Sequence, residues 1–458
     1  MQDMILTVYI DGEFAVSVNA HPGQSKAVDG RGGALPWMSS EWGHDVPMQV
    51  ISNWLQCALP ENGALASWAA RSMLVARQHG AAGDAMRPET IIWAHPAHEY
   101  PGAIQVTRND ELPPPAKPIS AYASVPEAEM RGKLVDAMQV FGAIKGSPRR
   151  AAWESGASLS GVRPKMSLTA RNGDPDEGWL DGGPGQASTW VVKVEDSRAN
   201  EGEAGIESIC QAALGLCGIP AARTRSRVIA DFQCVLSERS DRRVQDGFVK
   251  RIHQEEFRQA CDYGVMKHWM GAPNEPSYPR IHAILRRRGR GGAGLTRFLA
   301  ASWLLGHGDL HRGNIGLTVS SPRDGEKSVD LAPAYDVSSA VGTDYDLGFV
   351  LPVGGQHAFD AIGIPEWAKH AQSCGEDGEE TLAHVAQIAD RLPDALSQAV
   401  RMAKEADENR AQAAVDKRAD AMLLRAHAMA KALAEQRHGQ TERMKERPKG
   451  GGQSSCDP

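Results

Sequence analysis

The chain has 458 residues, room for two to four domains at roughly 100–200 residues each. Apolar residues make up 41% and charged residues 23%, which excludes wholesale disorder, collagen-like repeats and a small disulfide scaffold. Fifty Lys and Arg against 57 Asp and Glu leave a net charge of −7, so the overall charge specifies no nucleic-acid surface and only a local basic patch could supply one.

Residues 4–18, MILTVYIDGEFAVSV, alternate apolar and polar on either side of Asp11-Gly12, which predicts a β-hairpin. Val50 to Gln78 has helical spacing, broken by a turn at Leu59-Pro-Glu-Asn-Gly63. A short strand is expected at Ala103–Val106, then a stiff proline linker over 111–118, where a domain boundary is placed. Next come a helix from Pro126 to Gly142, a small-residue loop over 155–165, and strands at Met166–Ala170 and Thr189–Val194. A helix over Glu203–Gly215 follows, and then a strand pair within 226–238. Beyond about 250 the pattern reads as mainly helical with one polar insert at 306–317, and the last helix is expected over Ala406–Gln436. The charged, glycine-rich tail from 440 lacks the apolar residues to fold.

No run approaches the roughly 20 apolar residues that span a bilayer, so no membrane association is expected. Asp3, Asp11 and Glu13 make Met1–Val16 a poor signal peptide. Seven scattered cysteines, an odd number with no CxxC, point to free thiols in a reducing cytoplasm. The fifteen histidines show no metal-ligand spacing.

The most informative stretch is Gly306-His-Gly-Asp-Leu-His-Arg-Gly-Asn-Ile-Gly-Leu317, followed by Leu331-Ala-Pro-Ala-Tyr-Asp-Val-Ser-Ser339. It sets Asn314 five residues after Asp309 and puts Asp336 at the end of a later apolar run. Protein kinases use this order: an Asp to take the hydroxyl proton, then an Asn and a second Asp to hold Mg²⁺ through hard oxygen atoms. Asp-x4-Asn alone is equally what a polar turn looks like; the later Asp336 tips the reading toward chemistry. Lys193 interrupts the apolar strand Trp190-Val-Val-Lys-Val194, where an unpaired buried ammonium is costly. It is the candidate for the lysine that holds ATP phosphates, against the plain alternative of an edge-strand lysine in solvent. Glu207 on the next helix is its candidate partner, with Glu201 and Glu203 as rivals. His307 and His311 flank Asp309 and read as scaffolding of that loop, without a metal role. The run Arg286-Arg-Arg-Gly-Arg290 suits phosphates or a DNA backbone, but such runs are more often solvated loops.

Taken together, these segments resemble the HipA-type serine/threonine kinases, the toxins of bacterial HipBA toxin–antitoxin systems. Val50–Glu61 is similar to the family's N-terminal stretch ending in Leu-Leu-Pro-Asp/Glu. Ser158-Leu-Ser-Gly-Val-Arg-Pro-Lys165 is similar to its phosphate loop, Ser-x-x-Gly-x-x-x-Lys. Val235–Arg242 resembles its hinge, and His307–Leu317 its catalytic loop. The resemblance implies an α+β, two-lobed protein-kinase-like fold with an extra N-terminal subdomain (1–118), a kinase N-lobe (119–244), a mainly helical C-lobe (245–439) and a disordered tail (440–458). It also implies ATP and Mg²⁺ as cofactors, phosphorylation of a cellular protein to arrest growth, as in persistence, with aminoacyl-tRNA synthetases as precedent, and a HipB-like DNA-binding antitoxin through which operator DNA is contacted.

Carried over residue by residue, Asp309 is the base and Lys193 the phosphate-binding lysine. Gly161 and Lys165 belong to the phosphate cradle, Glu238 and Ser240 to the adenine hinge, His311 to the nucleotide-binding set, and Asn314 and Asp336 hold Mg²⁺. Ser158, with Ser160 as a second hydroxyl, falls where the family is inactivated by autophosphorylation. Two features depart from the pattern. Ser240 stands where an aromatic residue is common, and the His-Gly-Asp loop is shared with aminoglycoside and choline kinases. A small-molecule kinase of that type, or a non-catalytic kinase-fold partner of a DNA-binding antitoxin, are therefore the alternatives.

Overall fold

The computed structural model describes residues 4–446 apart from 11, 21–26, 30–47, 60–61, 79–86, 97–98, 110, 146–160, 162, 196–200, 262–276, 289–291, 321–327 and 346. The chain opens with the expected hairpin: β1 (Ile5–Ile10) pairs antiparallel with β2 (Glu13–Asn19), Leu6 facing Val18 and Val8 facing Val16. A short β3 (Ala27–Asp29) flanks β2, and β4 (Ile104–Arg108) pairs with the other side of β1. Helices α1 (Met48–Gln56), α2 (Asn62–Gln78) and α3 (Pro88–Ala94) cover this sheet. They bury Trp54, Leu55, Trp68, Ile92 and Trp93 against Leu6, Val8 and Val18. Helix α3 has no counterpart in the sequence reading. Six of its seven residues are buried, so PETIIWA carries no one-sided stripe to reveal it.

The second sheet has the order β5-β7-β6-β8-β10-β9. Its members are β5 (Ala123–Val125), β6 (Lys165–Ala170), β7 (Trp179–Asp181), β8 (Trp190–Val194), β9 (Thr224–Ile229) and β10 (Phe232–Glu238). Helix α4 (Glu127–Val140) and helix α5 (Glu203–Leu216) pack beside it, close to the sequence expectation. The register fixes the chemistry to come: Lys193 on the central β8 lies opposite Lys165 on one side and Val235 on the other. Beyond β10, β11 (Arg242–Gln245) and β12 (Phe248–Arg251) form a small hairpin.

The remainder is less purely helical than expected. Between the helices run β13 (Gln254–Glu256), β14 (Gly316–Ser320) and β15 (Ser328–Leu331) as one sheet, and β16 (Gly348–Val353) with β17 (Gln356–Ala358) as a hairpin. Strands of three to six residues are too short to display alternation, so the mainly helical expectation beyond 250 does not contain them. The helices are α6 (Phe257–Ala260), α7 (Tyr278–Arg288), α8 (Ala293–Leu305), α9 (Ile364–Cys374), α10 (Gly378–Ala406) and α11 (Gln412–Glu446). They share one large core that includes Leu295, Leu299, Trp303, Trp367, Leu392 and Leu396.

Three boundaries change. The expected last helix at 406–436 begins only at Gln412, after a break at 407–411 where Glu408 N–H bonds Ser226 O and fixes the chain against β9. The helix continues through the start of the expected tail, to Glu446. Arg286–Arg288 of the basic run are the last turn of α7, not loop. Among the described residues no helix is long and apolar enough to cross a membrane.

Candidate active site

Helix α8 ends in Gly306, whose left-handed φ of 76° turns the chain into the loop 307–314. His307 is buried, and its Nδ1–H donates to Ser338 O at 2.8 Å, tying this loop to the segment after β15. The loop closes on its own backbone: Asp309 O accepts from Asn314 Nδ2 at 2.8 Å and from His311 N–H at 2.9 Å. Gly313 N–H donates to His311 Nδ1 at 2.9 Å, so the ring hydrogen sits on Nε2, 3.9 Å from Asp309 Oδ1. The Asp309 carboxylate itself is 63% exposed. The loop is thus held from behind while its acid faces the cleft.

Asp336 arrives from the other side, on a residue with φ of +56°, a conformation that costs a non-glycine residue about 1–3 kcal/mol. The neighbourhood over-determines it. Tyr335 Oη donates to Gly313 O at 2.9 Å, and the Gln211 amide bridges Ala334 O and Asp336 N–H. Lys193 Nζ lies 2.7 Å from Asp336 Oδ1 and 2.8 Å from Glu207 Oε1, so of the three rival glutamates Glu207 takes the lysine. Glu203, one turn earlier on α5, goes to Arg163 at 3.2 Å and Arg418 at 2.9 Å, and Ser338 Oγ donates to it. Arg163 also reaches Glu207 at 3.1 Å. Burial alone would raise the Asp336 pKa. The charges of Lys193, Arg163 and Lys165 outweigh it and hold the carboxyl well below the usual range. Burial alone would likewise discharge Lys193, but Asp336 and Glu207 keep its pKa raised.

Of these groups His307, Asp309, Arg163, Lys165, Lys193, Glu203, Tyr335 and Asp336 border one cavity of about 910 Å³, within the size range of small-molecule sites. It brings together Gly161, Lys165, Lys193, Glu238, Ser240, Asp309, His311, Asn314 and Asp336, every candidate residue that lies among the described positions. Ser158 and Ser160 lie outside the described residues. At the hinge, Glu238 N–H is already committed to Arg223 O at 2.8 Å, and Ser240 Oγ donates to Gln254 Oε1 at 3.0 Å. Behind the hinge, buried Arg239 and Arg242 meet Glu99 and Asp241. Asp241 also accepts the Gly102 N–H at 2.8 Å, where a Cβ on residue 102 would sit 2.5 Å from Gln254 O. Sequence reasoning missed Arg163, Arg418 and Glu99, and it named Glu203 only as a rival partner for the lysine. Arg163 stood inside a quoted motif and was findable; Arg418 and Glu99 come from distant segments and carry no local signal.

The buried His307 gives the site a pH signature. Burial outweighs its bond to Ser338 and nearby carboxylates, and holds its pKa down to about 4, against about 6.5 in an unfolded chain. Between those values the unfolded state binds a proton that the folded state refuses. The associated stability is therefore complete above pH 6.5 and is lost as pH falls toward 4, by up to roughly 3 kcal/mol. Urea midpoints of the wild type should fall across this window more steeply than those of His307→Asn, by the equivalent of about one proton. Equal slopes would remove His307 from the acid response.

With the geometry in hand, two comparisons define the class of fold and then the family. The chain is similar to the HipA subunit in the structure of the Shewanella oneidensis MR-1 toxin–antitoxin complex of HipA, HipB and operator DNA, at 18% identity and a TM-score of 0.70. The match covers 92% of this chain and 97% of that one, so the fold is protein-kinase-like, mixed helix and sheet, as the sequence suggested. The model of the HipA-like C-terminal domain family matches residues 157–396, over half of the chain, and the protein belongs to that family. It is also 26% identical over 317 residues to the Sinorhizobium fredii protein named "Putative kinase Y4mE", across 65% of this chain and 68% of the relative.

Proposed function

We propose that this protein is an ATP- and Mg²⁺-dependent serine/threonine protein kinase, acting in the cytoplasm as the toxin of a HipBA-like system. The observation that carries the reading is the convergence of Lys193, Asp309, Asn314 and Asp336 on one cavity, with buried Glu207 paired to the lysine. Phosphoryl transfer asks a protein for positioning and charge more than for covalent chemistry, and the site supplies both. Lys193, held charged by Glu207, binds the phosphates, with Arg163 and Lys165 adding positive charge around them. The Glu238 carbonyl and the Ser240 backbone take the adenine edge, since the Glu238 N–H is already used. His311 steadies the Asp309 carboxylate, which accepts the proton of the attacking hydroxyl.

The donor set fits magnesium. Asn314 commits its amide nitrogen to Asp309 O and so offers Oδ1, and Asp336 is kept ionised, giving two hard oxygen ligands. Bound Mg²⁺ would neutralise charge on the transferred phosphoryl group. The Shewanella relative, solved with HipB and operator DNA, supports a HipB-like antitoxin partner for this chain too. Ser158, with Ser160 two residues on, is the proposed autophosphorylation site, because a phosphate there adds roughly two negative charges a few residues before Arg163 and Lys165. Incubation with labelled ATP and Mg²⁺, followed by phosphosite mapping, should give label on Ser158 or Ser160. A wild-type chain that transfers no label to itself or to any protein would overturn the reading.

A further inference from the structure

We propose that His282, His370 and Cys374 bind one thiophilic divalent cation, Zn²⁺ by their chemistry, which pins helix α7 to helix α9. All three side chains are buried, and their ligand atoms lie within 4.8 Å of one another. None of them lines the cavity described above. His370 and Cys374 stand one turn apart on α9, with Sγ 3.7 Å from Nε2. His282 enters from α7, which is why residue spacing in the sequence did not disclose the group.

The orientation of His282 is the decisive feature. Its Nδ1 lies 3.1 Å from Glu376 Oε1 and donates its hydrogen to that carboxylate. The lone pair is thereby fixed on Nε2, a buried atom with no hydrogen-bond partner. A carboxylate on one ring nitrogen and a metal on the other is the usual setting of a metal-bound histidine. Gly292 is part of the design, since a Cβ there would sit 1.9 Å from His282 Nδ1 and 2.7 Å from Glu376 Oε1. Burial, with the nearby charge of Arg286, holds His282 down to about 4. Burial also holds His370 down to about 3, so both are neutral donors at neutral pH.

One thiolate and two imidazoles select zinc over magnesium, which takes oxygen ligands. On binding, the Cys374 S–H proton passes to solvent and the sulfur bonds the metal. Bond lengths of about 2.0 Å to nitrogen and 2.3 Å to sulfur place tetrahedral ligand atoms about 3.3–3.5 Å apart. The His370–Cys374 pair, at 3.7 Å, is already close to this, and no pair needs to close by more than about 1.5 Å.

The test uses the full chain, stripped with a chelator and titrated first with Co²⁺ and then with Zn²⁺. One equivalent of cobalt should give a thiolate-to-cobalt charge-transfer band that zinc removes. Zinc at about 100 times its Kd should raise Tm by roughly 3–7 °C. Cys374→Ser should lose the band. Glu376→Gln, which leaves the three ligands in place, should weaken zinc binding about 10–100-fold and serves as the test if the serine variant does not fold. A folded wild type without the band, a band that survives in Cys374→Ser, or unchanged zinc affinity in Glu376→Gln would each overturn the proposal.

Discussion

Replacing Asp309 by Asn should lower phosphotransfer by about 10²–10⁴-fold, the range expected for loss of a positioned base, while leaving thermal stability unchanged. The separation of the two effects follows from how the loop is held. Asn314 Nδ2 and the His311 N–H both bond the backbone oxygen of Asp309, so these closing bonds of the loop survive a change of its side chain. The carboxylate is mostly exposed to the cleft, and an amide of the same shape can occupy the same space. What the amide cannot do is accept the hydroxyl proton. Labelled-phosphate turnover and a thermal melt on the same sample check both halves. Wild-type turnover by Asp309→Asn would show that the base lies elsewhere.

The second large effect falls far from the chemistry. Glu99→Ala should cost about 3–5 kcal/mol, because it leaves two buried guanidinium groups sharing the single carboxylate of Asp241. Glu99 Oε1 lies 3.1 Å from Arg239 and 3.0 Å from Arg242, and its other oxygen accepts from Ser188 Oγ at 2.6 Å and Ser167 Oγ at 2.8 Å. Burial opposes its ionisation, yet the neighbouring arginines prevail and hold its pKa down to about 2. Its contribution is therefore complete above about pH 4.5 and is lost as pH falls toward 2, mostly below the histidine window. Because Arg239 and Arg242 flank Ser240, the same substitution should loosen the hinge and weaken nucleotide binding. By contrast, Lys369→Ala removes an exposed pair with Glu366 and should change stability by less than about 0.5 kcal/mol. Differential scanning calorimetry of the two variants distinguishes them, and equal melting temperatures would contradict the role given to the buried network.

Why some of this was legible in the sequence and some was not has physical causes. The N-terminal hairpin announced itself through two short apolar runs on either side of the Asp11-Gly12 turn, although β1 and β2 are buried along most of their length and not on one face alone. The loop at 307–314 was legible because its working atoms lie within a few residues of one another. The partner of Lys193 was only half legible: Glu203 and Glu207 share one face of α5, and only the fold assigns the first to Arg163 and Arg418 and the second to the lysine. The Glu99 network and the His282 cluster join segments distant in sequence, and no local pattern encodes such a meeting. The short strands β13 to β17 failed for another reason, since three to six residues do not establish a period.

Magnesium-dependent ATP binding, measured by calorimetry on the wild type and on Asp336→Ala, tests most directly whether the cavity is a phosphoryl-transfer site. Asp336 is the carboxylate that would hold the metal, and it already sits 2.7 Å from Lys193 Nζ. The wild type should bind one ATP per chain, more tightly with Mg²⁺ than without. Asp336→Ala should lose at least about tenfold in affinity, equivalent to about 1.4 kcal/mol, together with the magnesium dependence. Undiminished, magnesium-sensitive binding by Asp336→Ala, or no ATP binding by the folded wild type, would contradict it.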